Sequence, residues 1–89
     1  MRTTVVIGAS TDPSRPSWQA VASLQNHKEN VVAVGIKAGQ INGLEILLGF
    51  PEINEVDTVS LYVGPKNLAQ WEDYILSLHP KRIIFNPGT

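Results

Sequence analysis

The chain has 89 residues, 43% of them hydrophobic, and carries seven Lys and Arg against eight Asp and Glu. That length and composition suit one globular domain over residues 1–89 with a single core, and they exclude intrinsic disorder. Near-neutral charge without a basic run excludes a nucleic-acid surface, the lack of cysteine excludes disulfides and thiolate metal sites, and no stretch approaches the ~18 apolar residues of a membrane span. No leader-like apolar stretch opens the chain, so a soluble, cytoplasmic domain is the expectation.

Thr3 to Gly8 reads as a buried strand, short, β-branched and apolar. Asp12-Pro13-Ser14-Arg15-Pro16-Ser17 is turn chemistry that leads into a helix. Pro16 suits the first helical position, and Ser14 or Ser17 is a candidate cap. Trp18, Val21, Ala22 and Leu24 then share a helical face, and the polar run from Gln25 to Asn30 closes the helix.

Val31 to Val34 is a second buried strand. Gly35 to Gly43 reads as a polar loop, Leu44 to Leu48 as a short edge strand, and Phe50 to Ile53 as one helical turn. Val56 to Val63 is the next strand. Gly64-Pro65 opens a second helix with Leu68, Trp71, Ile75 and Leu78 on one stripe, and Pro80 ends it. Arg82 to Phe85 is the last strand, followed by the turn Asn86-Pro87-Gly88-Thr89. Strands alternating with amphipathic helices predict an α/β fold with a parallel sheet and right-handed crossovers.

In such a sheet, ligands bind beyond the carboxyl ends of the strands. The residues that follow the strands are Gly8-Ala9-Ser10-Thr11 with Arg15 and Ser17, then Gly35-Ile36-Lys37, then Val63-Gly64-Pro65, then Asn86-Pro87. This rim holds glycines, hydroxyls and cations, with Asp12 as its only carboxylate, and it suits an anion. Ser10 and Thr11 can present backbone N–H groups, a helix start adds partial positive charge, and Arg15 can grip a phosphate with two prongs.

The three-glycine dinucleotide fingerprint is absent, and no acid stands after the second strand to bind a ribose hydroxyl. Lys37 stands there instead and favours a phosphate-bearing ribose. The competing reading is an ordinary strand–turn–helix connection with a solvated lysine. His27 reads as a surface residue and His79 as a structural one at a helix end, and the two tryptophans read as core. No nucleophile arrangement or metal-ligand spacing is present, so no catalytic or metal residue is assigned.

The stretches VVIGAS, RPSWQAVASL, VVAVGIKAGQINGLE, VDTVSLYVGP and IIFNPGT, in this order, resemble the small bacterial CoA-binding proteins. Those are similar to the CoA-binding domain of succinyl-CoA ligase, a Rossmann-like fold. The resemblance covers nearly the whole chain. It implies a three-layer sheet with strand order 3-2-1-4-5, in which Leu44 to Leu48 is the third strand. It also implies a binding module for coenzyme A or an acyl-CoA. Gly8, Ala9 and Ser10 would meet the pyrophosphate, with Thr11, Arg15 and Ser17 nearby, and Lys37 the ribose 3′-phosphate. Val63, Gly64 and Pro65 would line the adenine side, and Asn86 and Pro87 the path of the pantetheine arm.

Two departures stand out. Members usually carry Asn-Pro after the second strand, where this chain has Gly35-Ile36. They also continue with a further helix and strand, whereas this sequence stops at Thr89. The expectation is a shortened form, or self-association through the last strand. Two other readings remain at this point: an NADP-binding sensor or oxidoreductase-like domain, suggested by Lys37, and a ligand-free interaction domain.

Overall fold

The computed structural model describes residues 2–86. Six strands and two helices follow one another: β1 (Thr3–Ile7), α1 (Pro16–Asn26), β2 (Asn30–Gly35), β3 (Gln40–Ile41), β4 (Leu44–Leu48), β5 (Val56–Leu61), α2 (Pro65–Ser77) and β6 (Arg82–Phe85). They form one sheet in the order β3-β4-β2-β1-β5-β6, parallel throughout except for β3 against β4. Without β3, this is the expected order of five strands.

The central strand explains the layers. In β1, Val5 and Ile7 point to the α2 side, where they join Val59, Leu61, Trp71 and Ile75. Val6 points to the other side and meets Val21, Ala33 and Ile46 under α1. A strand covered on both faces has no polar face to show, hence the unbroken apolar run. From β1 the chain steps through α1 to β2, and from β5 through α2 to β6, in opposite directions along the sheet. Two crossovers of one hand that run in opposite directions put their helices on opposite faces.

Three local expectations change. Phe50 to Ile53 is not a helical turn; it has no regular secondary structure and crosses the α2 face back to β5. Gly49 ends β4 with φ +76°, and Pro51 holds Phe50 away from helical backbone. The crossover is anchored by Phe50, whose ring lies 5.2 Å from Trp71 and 5.3 Å from Tyr74. It is also anchored by the Tyr74 hydroxyl, which donates to the Pro51 carbonyl at 2.6 Å.

The loop from Gly35 to Gly43 contains a two-residue hairpin corner. Asn42 (φ 47°) and Gly43 (φ 83°) turn β3 into β4, as Asn-Gly does in primed turns. Finally, neither Ser14 nor Ser17 caps α1: Arg15 occupies the cap position and makes no side-chain bond there. β5 stops at Leu61 and α2 at Ser77, each a little short of the expected end.

Candidate functional site

The carboxyl ends of β1, β2 and β5 open into one cleft of about 420 Å³. It lies where strand order reverses, between β1 and its neighbours on either side. Of the predicted residues, Gly8, Ala9, Ser10, Thr11, Arg15, Ser17, Lys37, Val63 and Gly64 line it. Pro65 does not; it is the exposed first residue of α2. Asn86 does not either. Its side-chain amide donates to the Leu61 carbonyl at 2.8 Å and to Ser60 Oγ at 3.0 Å, and so pins the end of β6 to β5. Pro87 lies outside the described residues.

Ile36, within the predicted stretch after the second strand, also lines the cleft. Sequence reasoning missed Tyr62 beside the end of β5, and Asn67, Gln70 and the cleft-facing part of Trp71 on α2. Tyr62 could have been found by starting its strand-end motif one residue earlier. The α2 residues could not, because their helical periodicity reads only as core and solvent faces.

The cleft floor is built by close backbone contacts. Gly8 has φ +93°, and a Cβ placed there would stand 2.5 Å from the Tyr62 carbonyl oxygen. A Cβ on Gly35 would stand 2.7 Å from the Ala9 carbonyl oxygen, and one on Gly39 would collide with the Thr11 methyl. The loops after β1 and β2 are therefore packed together, and Lys37 projects from a braced loop.

The N–H groups of Gly8 and Ala9 both donate to the Val34 carbonyl, at 2.9 and 3.0 Å. Those two donors are spent on the fold. The N–H groups of Ser10 and Thr11 meet no acceptor among the described residues.

Electrostatics favour an anion. Among the described residues, Arg15 and Lys37 are the only charged ones in the lining. Asp12, the carboxylate of concern, faces its own turn. It accepts from the Ser14 N–H at 3.0 Å and the Ser14 hydroxyl at 2.8 Å. Those two bonds, and behind them the charge of Arg15, hold its carboxyl below the ordinary value although burial pulls slightly the other way. Both helices start at this cleft with proline in the first turn, and neither has a side-chain cap or an acidic residue there. Their positive dipole ends face the same space without a protein counter-charge.

Two other grooves lack this character. One of about 570 Å³ along α2 is lined by Glu52 and Asp73 with no cation, the wrong sign for a phosphate. One of about 630 Å³, near the amino ends of β5 and β6, sets Glu55 and Asp57 against Arg2 and Lys81. Among the described residues no group of three His, Cys, Asp or Glu side chains could hold a metal, and no helix is long and apolar enough to cross a membrane.

Similar folds are known. A crystal structure of an uncharacterised protein is 43% identical, with a TM-score of 0.94, and the match covers all of this chain and 74% of that one. A conserved hypothetical protein from Pyrococcus furiosus is 24% identical at a TM-score of 0.83, over 99% of this chain and 77% of that one. A hypothetical protein from Pyrococcus horikoshii is 21% identical at a TM-score of 0.74, over 90% and 57%. No curated protein matches. The family described as "CoA binding domain" matches residues 2–89. A cation-lined cleft at the switch point of a Rossmann-like sheet is what that match leads one to look for, and the chain belongs to this family of CoA-binding domains.

Proposed function

We propose that the protein is a binding module for coenzyme A or an acyl-CoA and performs no chemistry of its own. The observation that carries this reading is the convergence of two uncapped helix starts, Arg15 and Lys37 on one cleft. The diphosphate sits on the Ser10 and Thr11 N–H groups with Arg15 beside it. Lys37 takes the ribose 3′-phosphate. Val63 and Gly64 face the adenine, and the pantetheine arm leaves towards Asn86.

A parallel thermal-shift measurement with coenzyme A, NAD and NADP tests this. A ligand at 100 times its Kd stabilises by ~2.7 kcal/mol. The expected result is a shift with coenzyme A alone; a shift with NADP alone overturns the reading, and no shift favours an interaction domain. Lys37→Glu should weaken coenzyme A far more than dephospho-coenzyme A, because only the former carries the phosphate that Lys37 meets.

A further inference from the structure

We propose that Asn67 and Gln70, on successive turns of α2, read the edge of the adenine base and are the specificity-determining residues of the cleft. This rests on the coenzyme A reading above.

The two walls of the cleft differ in chemistry. The wall made by the β1 loop, α1 and the β2 loop carries both cations. The α2 wall is uncharged; Val63 and Trp71 offer apolar surface and Asn67 and Gln70 offer amides. Ile36, 81% exposed, adds apolar surface from the rim of the β2 loop. The side chains of this wall give a phosphate no charge to pair with, although the start of α2 still favours an anion at its end. A flat heteroaromatic ring gains apolar contact on its faces and hydrogen bonds along its edge.

The amides have the right functions to spare. Gln70 Nε2 donates to Asn67 Oδ1 at 3.4 Å. That bond ties the two side chains together and uses one function of each. The Gln70 carbonyl and the Asn67 amino group remain, with no other partner among the described residues. Reversing both amides leaves the same kind of pair, one acceptor and one donor. Adenine presents its exocyclic amino donor beside a ring-nitrogen acceptor, so the pair matches it with one bond in each direction. The three-residue spacing on a helix places both amides on one face and fixes their separation.

The test compares coenzyme A with etheno-coenzyme A, whose bridge consumes the amino group and the adjacent ring nitrogen. Binding is read by titration calorimetry on the parent protein and on the double variant Asn67→Ala, Gln70→Ala. Both residues are exposed, so the variant keeps its fold, checked by its unliganded melting temperature. The parent should bind the etheno form about tenfold more weakly, and the variant should bind coenzyme A about tenfold more weakly and treat both ligands alike. Equal binding of the two ligands by the parent, or undiminished discrimination by the variant, overturns the amide assignment and leaves the coenzyme A reading standing. Failure of the parent to bind coenzyme A overturns both.

Discussion

Gly8 shows how one residue can be fixed by the fold and still shape a site. In the sequence it stands where a ligand would approach the backbone closely. In the structure its positive φ and the Tyr62 carbonyl, 2.5 Å from any added Cβ, already demand glycine without a ligand. Gly8→Ala should therefore destabilise the unliganded protein by roughly 2–3 kcal/mol, from backbone strain plus the displaced β5 end. Urea denaturation reads this directly. A loss below about 0.5 kcal/mol, the level of a neutral surface change, would show that the turn relaxes freely. Lys37 is the opposite case: it is exposed, and its value lies in charge and placement.

Among the elements, α2 has two tasks. Its first turns face the cleft, while its later residues hold the crossover from β4 to β5. Tyr74 is central to the second task. Its hydroxyl bonds the Pro51 carbonyl, and its ring meets Phe50 and Trp71. Burial raises its pKa above the ordinary 10.0. An acid whose folded pKa is raised binds its proton more tightly when folded. Its contribution is constant below about pH 10 and falls as pH climbs through the interval up to the folded value. Tyr74→Phe should lose about 1 kcal/mol at neutral pH, the net worth of one hydrogen bond. Across pH 9–11 the variant's melting temperature should fall less than the parent's; parallel curves would show that Tyr74 does not govern the alkaline limit.

At the scale of the whole molecule, the helices cover the two faces of the sheet unequally. α1 packs on β1, β2 and β3, so no helix among the described residues packs on the α1 face of β5 and β6. Thr58 and Ser60 on that face are nonetheless buried, and they accept hydrogen bonds from the side chains of Arg82 and Asn86. β6 pairs only with β5, and its Phe85 is 64% exposed on the opposite face. A free edge with exposed apolar side chains recruits another chain. We expect self-association through β6. Light scattering at micromolar concentration should report a dimer or larger species, and Phe85→Lys should return it to monomer. A monomeric parent at that concentration would refute the expectation.

The α/β class, five of the six strands and the nine cleft residues that follow β1, β2 and β5 were legible from the residues, whereas the strand order came only from the family resemblance. The legible features are local: apolar runs make strands, proline starts helices, and the residues after a parallel strand must reach the same edge. Other features needed the tertiary structure. The Asn42-Gly43 hairpin was legible as a primed-turn signal but was hidden inside what reads as one polar loop. The path of Phe50 to Ile53 was not legible, because it is set by the rings of Trp71 and Tyr74, distant in sequence. Asn86 was placed in the site by its position after a strand, yet its amide is taken up by Ser60 and Leu61. Asn67 and Gln70 read as solvent-facing helix positions, and only the docking of α2 beside β1 turns that face towards the cleft. A local pattern gives the direction in which a side chain leaves its element; what it meets there depends on contacts between elements far apart in the chain.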